Sequence, residues 1–217
     1  MNEGKDKNSF IKKIKVAMRP EVAFALLIAV LVLSVVLLSA FRDRSEVLFG
    51  GVFVNTDIDK EGYTYLTDGV MELFNGDPET QKVELTATAV VHTAEYSQIN
   101  ASADAAMQPI AKVEEGNLDY LVMDEEGMML YMTQYILDDL RTVFSEKELE
   151  TLGEKVIYLE LETDGSRTPV AIRVDERPFF SQHADISNPL FLAFVGPEEK
   201  SGHYRAFWDY LNNWNSN

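Results

Sequence analysis

The 217-residue chain contains no cysteine. That excludes disulfide staples, zinc knuckles, iron–sulfur clusters, thiol catalysis and a lipidated cysteine anchor. Basic residues are scarce, 19 against 36 acidic ones, for a net charge of −17. Nucleic-acid affinity comes from Lys and Arg neutralising phosphates, so no nucleic-acid partner is expected. No P-loop, no GxGxxG and no HExxH is present, and Ser39, Ser97 and Ser181 have no GxSxG around them. Internal repeats and low-complexity tracts are also missing. What remains is an apolar fraction of 46%, ordinary for a folded chain, at a length that accommodates one domain plus appendages.

The most informative stretch is Val22–Phe41, VAFALLIAVLVLSVVLLSAF, which carries no charge and only Ser34 and Ser39 as polar interruptions. Twenty residues at 1.5 Å each span about 30 Å, the thickness of a bilayer's hydrocarbon core. Lys5, Lys7, Lys12, Lys13, Lys15 and Arg19 precede it, against Glu3, Asp6 and Glu21. The positive-inside rule then predicts a cytoplasmic basic tail over 1–21, a membrane helix at 22–41 in contact with lipid, and everything beyond it outside the cytoplasm. A cleaved signal peptide is the competing reading, with Leu38-Ser39-Ala40 near a cleavage pattern, although the apolar run exceeds the usual 7–15 residues. Residues 1–41 hold six basic and three acidic side chains. The remainder therefore carries 13 basic against 33 acidic, a net −20. Such a domain is repelled by anionic headgroups and stands off the surface. Residues 42–48 read as a juxtamembrane stem and 49–217 as an extracytoplasmic α/β domain, bacterial in character.

Within that domain, VLFGGVFV (47–54) predicts a strand with close packing at Gly50 and Gly51. Apolar residues at Tyr65, Leu66, Val70, Met71 and Phe74 predict a helix over 61–74, ended by Asn75-Gly76-Asp77-Pro78 with Gly76 in the left-handed conformation. Residues 82–92 alternate as a strand. A helix over 95–115 is expected to break near Pro109. Leu118–Met123 reads as a buried strand and Gly127–Gln134 as a short helix. Ser145-Glu146-Lys147-Glu148 is a capping box. Residues 156–162 and 169–174 form a hairpin around Thr163-Asp164-Gly165-Ser166. Residues 175–188 read as loop, 190–195 as a buried strand, and 203–214 as a helix with Tyr204, Phe207, Trp208 and Leu211 on one face. Strands alternating with helices predict an α/β sandwich with an inserted hairpin.

Two stretches, LDYLVMDEEGMMLYMTQYILDDL (118–140) and LFLAFVGPEEKSGHYRAFWDYL (190–211), resemble extracellular solute-binding proteins of the type II periplasmic-binding fold. In that family a buried strand, here Leu118–Met123, is followed by a helix, here Met128–Gln134. A Leu-Asp-Leu phrase then follows, here Leu137-Asp138-Asp139-Leu140. Strand 82–92 and helix 95–115 resemble the family's strand–helix preface. In the later stretch, Ala206, Phe207 and Tyr210 resemble residues that pack a helix on the sheet. The family closes two lobes on a small solute; the 176 residues after Phe41 suffice for about one lobe, so the resemblance implies half of that fold behind one transmembrane helix.

Among candidate sites, Asp57, Asp59, Glu61 and Gly62, with Asp68 at the twelfth position, match the oxygen spacing of a calcium loop. The competing reading is an N-cap for the following helix. Asp124, Glu125 and Glu126 follow a strand where open α/β sheets place ligand crevices, and they are candidates to bind a cationic group. Trp214 lies beyond the periodic aromatic face and is a candidate stacking platform. Met128, Met129 and Met132 are candidates for an adaptable surface. His92, His183 and His203 have no metal spacing, and Asn100-Ala101-Ser102 matches a glycosylation acceptor. No cofactor is expected. The function these observations favour is a non-enzymatic, membrane-anchored binding or interaction domain, with a solute-transporter component among the candidate partners. A structural envelope protein is the alternative, followed by a hydrolase using Asp124 and Glu125.

Overall fold

The computed structural model describes residues 46–89, 102–160 and 165–214, together with Ile28. The chain divides at Arg44/Ser45 into two units, and the description below concerns the second. The expected tail, the rest of the expected membrane helix and residues 42–45 of the stem lie outside the described residues. No described helix is long and apolar enough to cross a membrane. The first strand, β1 (Glu46–Val54), includes the last three residues of the expected stem.

The remaining elements are α1 (Lys60–Leu73), β2 (Gln81–Thr88), α2 (Ser102–Glu114), β3 (Tyr120–Met123), α3 (Glu125–Thr133), α4 (Glu146–Leu152), β4 (Val156–Glu160), β5 (Arg167–Arg173), α5 (Pro178–His183), β6 (Phe191–Phe194) and α6 (Ser201–Asn212). The strands form one mixed sheet in the order β2-β1-β3-β6-β5-β4. The fold is α/β, with β1 parallel to both β2 and β3, and β6, β5 and β4 each antiparallel to the strand before it in that order.

Strands covered on both faces read as continuous apolar runs, as β1, β3 and β6 do. Alternation then sends their side chains to opposite faces. Phe49, Phe53, Tyr120, Val122, Leu192 and Phe194 meet Leu66 and Val70 of α1, Phe179 of α5, and Tyr204, Phe207 and Leu211 of α6. Val52, Val54, Leu121, Met123, Ala193 and Val195 meet Met128 and Tyr131 of α3, with Ile110 and Val113 of α2 packed alongside. Gly50 and Gly51 are required by contact: a methyl at Gly50 would run into the Asn117 carbonyl, and one at Gly51 into the Tyr120 ring.

Several local expectations are corrected. Asn75, not Gly76, takes the left-handed backbone after α1, with φ 52°, a conformation Asn tolerates. Gly76 instead lies against the Met71 sulfur and the Leu48 side chain, which would have to shift to admit a methyl. Pro109 does not break α2, which runs through it; the proline is buried, and the helix gives up a backbone hydrogen bond there. Residues 175–188 are not all loop. Pro178 opens α5 at its first turn and Phe179 and Phe180 are buried. Six residues are too few for a helical period to register in the sequence.

Candidate functional site

The C-terminal ends of β1 and β3 form the rim that the sequence singled out. The chain leaves β1 for α1 on one face of the sheet and leaves β3 for α3 on the other, the reversal point at which open α/β sheets carry crevices. Asp124 sits there as the N-cap of α3, its Oδ1 accepting the Gly127 amide at 2.9 Å. The same oxygen accepts Asn55 Nδ2 at 3.1 Å, and Asp124 is only 6% exposed. Asn55, directly after β1, is placed for this by its left-handed backbone, φ 55°. Glu125 and Glu126 project from the exposed first turn of α3, where the positive end of the helix favours them.

The rest of the rim is a clamp between residues 55–59 and the chain after α5. Thr56 Oγ1 donates to the Asp185 carbonyl at 3.0 Å, the Asp185 amide donates to the Asp57 carbonyl, and the Asp59 amide donates to the His183 carbonyl. An isolated antiparallel bridge joins Ile58 and Ala184. The acidic side chains serve this clamp. Asp57 accepts the Ile58 amide, and Asp185 accepts the Ser187 amide and hydroxyl. Asp59 accepts the Gly62 amide at 2.7 Å and His183 Nδ1 at 3.0 Å. The Gly62 amide, followed by His183, holds the Asp59 carboxyl below its ordinary range.

The calcium-loop spacing does not become a calcium loop. Asp59 caps α1, and the helix then runs from Lys60 through Asp68, so the oxygens at positions 5 and 12 are wound onto helix turns. Among the described residues no group of three or more acidic or histidine side chains is arranged to hold a metal. Trp214 is a core residue, 8% exposed. It stands edge-on to Tyr65, Phe179 and His183 at 6.0, 6.0 and 5.2 Å between ring centres. Met128 is buried, whereas Met129 is exposed. His203 stacks on Phe74 at 4.5 Å. His92, Ser97 and Asn100 lie outside the described residues.

Sequence reasoning missed a polar node at the opposite end of β3. Asp119, fully buried, accepts the Gly50 amide at 2.8 Å and Lys200 Nζ at 2.7 Å. Burial is the larger influence on it and pushes its carboxyl up, against the pull of Lys200. Asp138, half-buried, accepts the Gly196 amide at 2.9 Å and is pushed by burial up to about 6. The buried Tyr204 and Tyr120 hydroxyls have no hydrogen-bond partner among the described residues, and burial pushes both phenols up. The available signal was an aspartate at the edge of an apolar run, since such a group is retained only where it is paired. The chain matches no family model, no curated protein and no solved structure.

Proposed function

We propose that the chain is a single-pass, membrane-anchored protein presenting a non-enzymatic interaction domain outside the cytoplasm. In this reading residues 22–41 are the anchor, and the domain is one lobe of the kind that extracellular solute-binding proteins of the type II periplasmic-binding fold use in pairs. The observation that carries it is the state of the strand-end rim. Asp57, Asp59, Asp124 and Asp185 are each engaged by backbone amides of their own loops or of the helices they cap, which favours a pre-shaped polar surface over a closing solute trap. A protein partner, such as a transporter component, fits that surface. The hydrolase alternative would need converging carboxylates at the rim, one of them pushed up to serve as a general acid. The two raised carboxyls among the described residues, Asp119 and Asp138, instead belong to the node at the far end of β3.

The test is protease accessibility in intact cells, followed by sizing of the gently solubilised protein. Digestion of the 46–217 domain from outside, with the chain migrating in a complex with a second polypeptide, is the expected result. Digestion only from the cytoplasmic side, or a chain that migrates alone, overturns the reading.

A further inference from the structure

β2 forms one end of the sheet, and among the described residues no strand pairs on its outer side. Its bonding to β1 fixes which groups are left over. The Asn55 amide donates to the Thr88 carbonyl, in register with the Val54–Thr88, Val52–Thr86 and Gly50–Glu84 pairs. Backbone polar groups point to alternate sides along a strand in a ladder, so Glu84, Thr86 and Thr88 turn theirs toward β1. Those of Val83, Leu85 and Ala87 turn outward. A row of unpaired amides and carbonyls of this kind is a template for another strand.

Beside that edge runs an open groove of about 730 Å³ between α1 and the start of β2. Met71 and Val83 give it apolar lining, and Lys82, whose ammonium is paired with Glu84 at 3.3 Å, also lines it. Asp68 and Glu72 stand four residues apart on α1, hence on the same side of the helix, and neither forms an ion pair among the described residues. An edge strand flanked by a helix and a groove is the arrangement by which proteins capture extended peptides, with backbone bonds for affinity and alternate side chains for specificity. The charge selects the occupant. A second copy of this chain, itself at −17, is disfavoured by like net charge, whereas a basic segment meets Asp68 and Glu72.

We propose that the β2 edge and the α1 groove take an extended, lysine- or arginine-bearing segment of a partner protein as an added strand. This rests on the reading of the chain as an interaction domain and gives that interaction a location and a chemistry. The probe is a fluorescein-labelled octapeptide alternating Lys and Val, titrated by anisotropy against the full chain in detergent micelles, with a Glu–Val octapeptide as control. The Lys–Val peptide is expected to bind and the control not. Removing the two charges in Asp68→Asn/Glu72→Gln should weaken binding about 10-fold, given two exposed charge pairs. Ala87→Pro, which deletes an outward amide and spares the bonds to β1, should weaken it by a similar factor. Thermal melts check that both variants fold, and the charge variant keeps the test meaningful should the proline unfold the edge. Hydrogen exchange across 81–88 should slow on peptide binding. Equal binding of both peptides, unchanged affinity in Asp68→Asn/Glu72→Gln, protection at residues 55–59 and 124–127 in place of 81–88, or edge-to-edge self-association without peptide each overturns the proposal. Because the assay needs neither cells nor the natural partner, its failure is distinguishable from a failure of the membrane-topology test.

Discussion

Replacing Asp138 by asparagine should stabilise the protein at neutral pH, an unusual outcome for removing a hydrogen-bonded charge. The Asp138 carboxyl titrates near 6 in the fold against an ordinary value of 3.8, chiefly because burial disfavours its charged form; the Gly196 amide offsets only part of that. Between about pH 4 and pH 6 the folded protein therefore holds a proton that the unfolded chain has released. Stability contributed by this group is present below that window and is lost as pH rises through it. Full conversion of such a displacement would be about 3 kcal/mol; the side chain is only half-buried, and solvent access reduces this to about 1–2 kcal/mol. Asparagine keeps an oxygen to accept the Gly196 amide at 2.9 Å and cannot ionise. Asp138→Asn should accordingly gain about 1–2 kcal/mol at pH 7.5, with the gain shrinking toward zero near pH 4. Urea titrations at several pH values read this directly, since both tryptophans of the chain, Trp208 and Trp214, lie in the core. A variant less stable than the parent at pH 7.5, or a gain independent of pH, would refute the reasoning.

At the same pole, Lys200→Met leaves the Asp119 charge buried without its cation and should cost about 3 kcal/mol or more. The double variant Asp119→Asn/Lys200→Met should recover part of that loss in urea melts. Trp214→Ala should lower stability by about 3 kcal/mol as a core truncation; a loss within experimental error would mean that the ring serves an exposed surface after all. Asp124→Ala removes the cap of α3 and should cost about 1–2 kcal/mol, whereas Glu125→Ala, on the exposed first turn, should stay within about 0.5 kcal/mol. The reverse ranking in thermal melts would contradict the capping role assigned to Asp124.

What the sequence revealed follows from the range of the interactions involved. The aromatic face of α6, with Tyr204, Phe207, Trp208 and Leu211 buried as their spacing indicates, is encoded within one helix and is visible as a period. So is the capping box at Ser145 and Glu148, where both reciprocal bonds form. The rim was legible in outline only. A strand followed by acidic residues marked the reversal point, but the sequence could not say that Asp124 is used by Gly127 and Asn55, the latter 69 residues away. The burial of Trp214 is illegible for a related reason: its partners Tyr65, Phe179 and His183 come from two other helices, so it leaves no trace in the period of α6. Asp119 is the limiting case. It lies in an apolar stretch where solvation alone would forbid a carboxylate, and its cation, Lys200, is 81 residues downstream. An ion pair of that separation has no local spacing to betray it; the only local sign is the misfit itself. A buried aspartate beside apolar neighbours is therefore better read as a demand for a distant cation than as a flaw in the strand, and the depth of that demand is what Lys200→Met would measure.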